Sequence, residues 1–136
     1  MSDCRKITTS KIIPLKDKGA KSTMIFDNPN QKEAIVVKVD GCAIKDLKAL
    51  KCDFLVVCET EHFVELKGKN IKHACDQLEA TIIKLSVDPK SLSKYCFVVS
   101  SRCPLTTTEV QKQKLKFKKK YNAQLTIKNS VCKHRI

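Results

Sequence analysis

The chain has 136 residues, of which 42% are hydrophobic, and its 27 basic and 14 acidic residues give a formal net charge of +13. This length and composition predict one domain with a core of its own, and no run approaches the ~18 apolar residues of a membrane span. The polar, basic beginning has no apolar stretch typical of a secretory signal. We therefore expect a cytoplasmic protein that attracts polyanions.

Eight cysteines are many for this length. Cys42, Cys58, Cys75 and Cys96 fall in apolar segments, where cysteine behaves as a small hydrophobe. There is no C-x-x-C motif, and the half-site in residues 132–134 has no second half with the spacing of a zinc site. We therefore expect reduced, structural thiols.

The first part of the chain predicts two strands. Residues 1–22 are polar and basic, with Ile12, Ile13 and Leu15 around Pro14, and predict a loose segment that can contain a short extended piece. Residues 23–26 predict a strand, and residues 27–30 form a clear turn sequence. Residues 33–39 are β-branched and predict a second strand, which ends at the turn dipeptide Asp40-Gly41.

The middle of the chain predicts a hairpin followed by a helix. Residues 53–58 form the first hairpin strand, and the short polar connection 59–62 forces an antiparallel return. His62 is expected to be a solvated residue of that connection. The helix is expected over residues 70–86, with Asn70 as its N-cap. Its apolar face consists of Ile71, Ala74, Cys75, Leu78, Ile82 and Leu85.

The last third predicts a buried strand, a helix and an edge strand. Residues 95–100 are almost continuously apolar, which is typical of a central strand that lies parallel to the second hairpin strand. Thr106 and Glu109 have the spacing of a capping box, and a lysine-rich helix should follow to about residue 120. Residues 122–127 alternate as an edge strand does. Residues 129–136 are expected to be a frayed basic end.

Charged residues on the second hairpin strand indicate a site. Glu65 and Lys67 share one side of that strand with Phe63, and buried charges are costly unless they are paired or bound. If the hairpin brings Asp53 near them, two carboxylates lie beside one ammonium group. Mg²⁺ takes such oxygen ligands together with waters and phosphates. A lysine there can orient a metal-bound water or stabilise charge on a phosphate.

Asp53, then Glu65-Leu66-Lys67 at the end of a hairpin, then a helix carrying Gln77, together resemble the PD-(D/E)xK nuclease superfamily, and in particular its small uncharacterised bacterial members. The resemblance implies an α/β restriction-endonuclease-like three-layer sandwich over residues 1–136, with a central mixed β-sheet flanked by helices. It implies that Asp53, Glu65 and the backbone carbonyl of Leu66 hold Mg²⁺ or Mn²⁺. It also implies that Lys67 serves the attacking water and that Gln77 faces the site.

Two positions depart from the family pattern. Cys52 stands where proline often precedes the aspartate. Many members also have an acidic residue in an earlier element, and Glu33 is the candidate for this further metal ligand.

The basic C-terminal region, residues 111–136, contains nine Lys or Arg residues and no acid. Such a surface binds nucleic acid with release of counterions, although a merely solvated surface is the alternative. A membrane partner is not expected, because the region lacks a clean amphipathic apolar face. The candidate nucleic-acid contacts are Lys69, Lys72, His73, Arg102, Lys116, Lys118, Lys119 and Lys120.

These observations favour a metal-dependent endonuclease that hydrolyses phosphodiester bonds in DNA. Cutting both strands would require a homodimer or two successive nicks. A catalytically inactive nucleic-acid-binding protein on the same fold is one alternative. A subunit of a larger defence or repair complex is another.

Overall fold

The computed structural model describes residues 2–16, 21–66, 70–101 and 107–136. A short 3₁₀ turn spans Ser2–Cys4. The other elements, in chain order, are β1 (Arg5–Thr8), β2 (Ile12–Lys16), β3 (Thr23–Asp27), β4 (Ala34–Lys38), β5 (Phe54–Cys58), β6 (Thr60–Leu66), α1 (Ile71–Leu85), β7 (Lys94–Ser100), α2 (Thr108–Tyr121), β8 (Ala123–Asn129) and β9 (Val131–Arg135).

A mixed six-stranded sheet forms the centre of the protein, in the order β1-β4-β5-β6-β7-β8. In this order, the neighbours β1, β4, β5 and β6 pair antiparallel, whereas β6, β7 and β8 pair parallel. The carboxyl ends of β4, β6, β7 and β8 therefore lie at the same end of the sheet as the start of β5. We call this end of the strands the upper edge and the opposite end the lower edge. The expected hairpin and the parallel crossover through α1 are confirmed.

Both helices lie on one face of this sheet, which we call the helix face. The apolar stripe predicted for α1 is buried there, against residues such as Phe63 and Val98. The helix begins as predicted, because the Asn70 side chain accepts a 3.0 Å hydrogen bond from the backbone N–H of His73. Helix α2 begins one residue later than expected. Its N-cap is Thr107, whose hydroxyl accepts from the Val110 N–H, whereas Thr106 lies outside the described residues.

The other face is covered by a second sheet, in the order β2-β3-β9, rather than by helices. Strand β3 pairs antiparallel with β2 and parallel with β9. Inward residues such as Leu15, Met24, Phe26 and Cys132 pack against Phe97 and its neighbours in a second core. The expectation of helices on both sides is thus wrong for this face. The segment over 1–22 is more ordered than expected: it forms β1 as well as β2, which contains the expected extended piece. The expectation of a frayed end over 129–136 is wrong, because Val131–Arg135 forms β9.

The hairpin turn is tighter than expected. Glu59 alone connects β5 to β6, with a left-handed backbone φ of 63°. His62 therefore lies inside β6 and is buried, not solvated. Its ring stacks on Tyr95 at a centroid distance of 5.3 Å and contacts Phe26 edge-on.

Two cysteines form a disulfide, which corrects the expectation of reduced thiols throughout. Cys4 precedes β1 and Cys42 follows β4, and the antiparallel β1–β4 pairing brings their Cα atoms to 5.6 Å. The five other described cysteines are free and buried, as expected: Cys52, Cys58, Cys75, Cys96 and Cys132. Neither described helix has the length and apolar character needed to cross a membrane.

Candidate metal and nucleic-acid site

Two buried carboxylates lie at the upper edge of the central sheet. Asp53 precedes Phe54 and Glu65 follows Val64, and Phe54 and Val64 are paired across β5 and β6. Only 8% of Asp53 and 6% of Glu65 are exposed. Burial raises the pKa of the neighbouring Cys52 thiol, and the negative charges of Glu65 and Asp53 raise it further. Both carboxylates therefore lie close enough to Cys52 for their charges to affect the pKa of its thiol.

The backbone of the hairpin fixes Asp53 in place. Its Oδ2 accepts a 2.7 Å hydrogen bond from the N–H of Leu66. Its own N–H donates to the Val64 carbonyl, and its carbonyl accepts from the Val39 N–H, each at 3.0 Å. These bonds offset part of the cost of burying a carboxylate. Asp53, one of the two predicted carboxylate ligands, is thus bonded to β6, the strand that carries the other, Glu65.

Helix α1 is bonded to the residues just before Asp53. The Gln77 amide donates to the Lys51 carbonyl at 3.1 Å. Thr81 accepts from the Cys52 N–H at 2.8 Å and donates to the Gln77 carbonyl at 2.9 Å. Gln77 therefore lies beside the segment that precedes Asp53, where its amide nitrogen positions the start of β5. Sequence reasoning missed Thr81, although a threonine one turn after Gln77 and beside the apolar stripe was a usable signal.

Polar groups continue along the upper edge at the ends of β7 and β8. Ser100 and Asn129 are register partners there, and Ser100 is fully buried. Its carbonyl accepts a 2.7 Å hydrogen bond from the Ser130 N–H. Sequence reasoning did not single out these residues; a serine at the end of an apolar strand was the only signal. Helices α1 and α2 also begin at this edge, and their N-terminal ends favour anions.

Glu33 does not join this cluster. It is exposed and lies just before β4, which runs from the lower edge to the upper edge. Val39, the residue bonded to Asp53, lies six steps along the chain from Glu33, which at ~3.3 Å for each step of a strand is a span of about 20 Å. The sequence showed an acid before a strand but not the direction of that strand relative to β5.

Three predicted site residues, Lys67, Lys69 and Arg102, lie outside the described residues. Leu66 is the last described residue before the first gap. Its N–H is the group that binds Asp53.

The first turn of α1 presents two of the predicted nucleic-acid contacts near the upper edge. Lys72 and His73 are both exposed. The ammonium group of Lys72 lies 3.2 Å from Asp76 Oδ2, one turn further along the helix. A pair this exposed contributes little stability, so Lys72 remains accessible to an anion.

The predicted lysines of α2 fall into two groups. Lys116 lies 2.5 Å from Glu79 Oε1 and Lys120 lies 3.9 Å from Glu79 Oε2, while the Tyr121 hydroxyl donates to Glu79 at 2.5 Å. Lys116 and Lys120 therefore help to join α2 to α1. Lys118 and Lys119 are exposed, but they lie near the lower edge, about 15 Å along the helix from its start.

The sequence analysis did not name two further lysines as nucleic-acid contacts. Lys112 and Lys114 are exposed on α2, closer to the upper edge than Lys118 and Lys119. With Lys118 and Lys119 they form a basic surface on the solvent side of α2, which we call the α2 lysine surface.

Comparison with protein-family models, with curated proteins and with solved structures found no match to the chain. Among the residues the structure describes, no group of three or more His, Cys, Asp or Glu side chains is placed to hold a metal ion. Among the described residues, the buried carboxylates at the upper edge are Asp53 and Glu65.

Proposed function

We propose that the protein is a metal-dependent endonuclease that hydrolyses phosphodiester bonds in DNA. The observation that carries the proposal is the pair of buried carboxylates, Asp53 and Glu65, at the edge where parallel strands end and both helices begin. Ligands of open α/β sheets bind outside the carboxyl ends of their strands. A polyanion that binds there meets two helix N-termini and a chain of net charge +13.

The donor set fits a hard divalent cation. Mg²⁺ usually takes one or two carboxylates and fills its remaining positions with water and phosphate oxygens. Asp53 and Glu65 would hold it, joined by the carbonyl of Leu66 as the resemblance implies. When bound, the ion would supply the charge that polarises a scissile phosphate. Lys67 is the proposed residue that orients the attacking water.

Features of the fold support a restriction-endonuclease-like core. An antiparallel hairpin with acidic residues at one end leads through α1 to a parallel central strand, which is the arrangement that the resemblance implies. The β2-β3-β9 sheet is an addition to that arrangement. The proposal takes DNA as the partner, and a homodimer would allow both strands to be cut. It places the protein in the cytoplasm, where the Cys4–Cys42 bond would be exposed to reduction.

The test is cleavage of supercoiled plasmid with Mg²⁺ or Mn²⁺ by the wild type, Glu65→Gln and Glu61→Gln. Glu61 is the matched control: it is a buried carboxylate on the same strand and the same face, but near the lower edge. We expect nicking by the wild type and Glu61→Gln, and a loss of at least ~100-fold in Glu65→Gln. Equal rates for the two variants, with both folded by circular dichroism, would remove Glu65 from the proposed site.

A binding protein without catalysis is the second candidate, either alone or as a subunit of a defence or repair complex. The position of Lys118 and Lys119, well away from the carboxylates, favours it. Under this alternative all three proteins retard DNA in a gel, none cuts it, and the added metal changes nothing.

A further inference from the structure

A cavity of about 400 Å³ opens on the helix face beside α1, over β1, β4 and β5. Neither Asp53 nor Glu65 lines it. Its walls are mainly apolar and are formed by Val37, Leu55, Val57, Leu85, Val87 and Leu92. The volume lies in the lower part of the ~300–1,000 Å³ range of pockets that bury small molecules. The cavity is therefore separate from the proposed metal site.

The loop that follows α1 is fixed by two buried charges beneath it. Glu61 Oε1 accepts from the Ser86 hydroxyl at 2.5 Å, and Oε2 accepts from the Val87 N–H at 2.9 Å. On the other side, the ammonium group of Lys94 donates to the carbonyls of Asp88, Pro89 and Leu92. Burial lowers the pKa of Lys94, and the nearby Glu61 opposes that shift. The loop that forms this wall of the cavity is thus held in position by Glu61 and Lys94.

Because the backbone is held this way, the apolar side chains of the loop cannot turn into the core. Val87 is 85% exposed, and Leu92 is only partly buried. Both line the cavity. A preformed apolar wall that is left open to water gains free energy when an apolar ligand covers it.

The charges at the rim select the kind of ligand. Arg5 lies on β1 beside Val37, its side chain is exposed, and no carboxylate of the described chain lies within 4.0 Å of its guanidinium group. Glu59 has its own cation, Lys32, at 3.0 Å. Glu61 is bonded to the loop through both oxygens, and its charge is balanced by the nearby ammonium group of Lys94. The rim therefore presents one uncompensated positive charge beside apolar walls.

We infer that this cavity binds a small molecule with an apolar body and a single anionic group, such as a medium-chain carboxylate. The apolar body covers Val57, Val87 and Leu92. The anionic group pairs with Arg5, whose planar guanidinium group suits a carboxylate.

The test uses octanoate as the probe and octan-1-ol as its neutral counterpart, with methyl resonances of Val57 and Leu92 followed by NMR. Lys6→Gln is the matched control for Arg5→Gln, because adjacent residues of a strand point to opposite faces of the sheet and Lys6 lines a different depression. We expect octanoate to shift these methyl resonances. Arg5→Gln should weaken octanoate binding by about tenfold, as the loss of a charge-assisted hydrogen bond does. It should leave octanol binding unchanged, and Lys6→Gln should leave both unchanged.

A third variant tests the cavity itself. Val57→Phe places a larger side chain in the cavity and should abolish binding of both probes, with folding confirmed by the spectrum of the remaining methyl groups. The inference is overturned if octanoate leaves the Val57 and Leu92 resonances unmoved. It is also overturned if Arg5→Gln and Lys6→Gln weaken octanoate equally, because the general positive charge of the chain would then explain the binding.

Discussion

The Asp53 carboxylate is bonded to the Leu66 N–H at 2.7 Å, so the side chain that precedes β5 is fixed to the residue that follows Glu65. The backbone of β6 therefore holds the Asp53 carboxylate at the residue next to Glu65. This distinguishes two functions of Asp53: it satisfies a buried N–H, and it contributes negative charge to the proposed metal site.

Two variants of Asp53 separate these functions. Asp53→Asn keeps an oxygen that can accept from the Leu66 N–H, so unfolding free energy should change by less than about 1 kcal/mol, while Mn²⁺ affinity should fall at least ~10-fold. Asp53→Leu removes the acceptor and should also cost about 1–3 kcal/mol of stability. Urea unfolding and Mn²⁺ titration measure the two effects. Unchanged Mn²⁺ affinity in both variants would show that Asp53 is not a ligand.

The α2 lysine surface should control the salt dependence of DNA binding. Replacing Lys112, Lys114, Lys118 and Lys119 with Gln should flatten the plot of log affinity against log salt concentration, by about 0.9 for each lost phosphate contact. The measurement is fluorescence anisotropy of a labelled duplex at several salt concentrations. The control is Lys116→Gln, because Lys116 is paired with Glu79. A change in slope for Lys116→Gln as large as that for the quadruple variant would contradict this assignment.

His62 should make the protein less stable in acid. It is 2% exposed, and burial lowers its pKa from 6.5 to about 4, with the nearby His134 lowering it further. The unfolded chain therefore binds the proton more tightly than the folded one. Stability should be unaffected above pH 6.5, fall progressively between pH 6.5 and 4, and level off below that, a loss of about 3 kcal/mol.

Urea unfolding at pH 7, 6 and 5 measures this effect. His62→Gln should reduce the slope between pH 6.5 and 4, whereas His73→Gln, on the exposed face of α1, should leave it unchanged. A wild-type slope retained in His62→Gln would assign the acid sensitivity to another group, with His134 as the first to examine, because burial also lowers its pKa.

The Cys4–Cys42 disulfide should stabilise the protein against unfolding. The two cysteines are 38 residues apart, and closing a loop of that size in the unfolded chain is worth about 4 kcal/mol in the chain-entropy account. A reductant should lower the unfolding free energy of the wild type by up to that amount. The double variant Cys4→Ser/Cys42→Ser should already have the lower value and not respond to the reductant. A response of equal size in the double variant would point to another disulfide.

Local patterns were sufficient for the centre of the protein. The spacing of Ile71, Ala74 and Leu78 defines one helical face, and the continuous apolar run ending at Ser100 indicates a strand covered on both sides. A short polar connection allows only an antiparallel return, so the closeness of Asp53 and Glu65 followed. These features depend on residues near one another in sequence, which is why they could be predicted.

The features that were missed depend on distant pairings. Nothing near Val131 in the sequence shows that it will lie beside Thr23, and the exposed Lys133 and Arg135 gave the segment the look of a solvated tail. The Cys4–Cys42 bond likewise depends on β1 returning beside β4. Glu33 was misplaced because strand direction is a property of the whole sheet.

The parallel pairing of β3 with β9 has a consequence for how the molecule reaches this state. Its partners are separated by more than a hundred residues, so the contact closes a long loop and should form late and slowly. Until β9 arrives, β3 presents an open strand edge that the β9 segment of another molecule can occupy equally well. Refolding at high protein concentration should therefore yield exchanged dimers and larger aggregates, and dilution should favour the monomer.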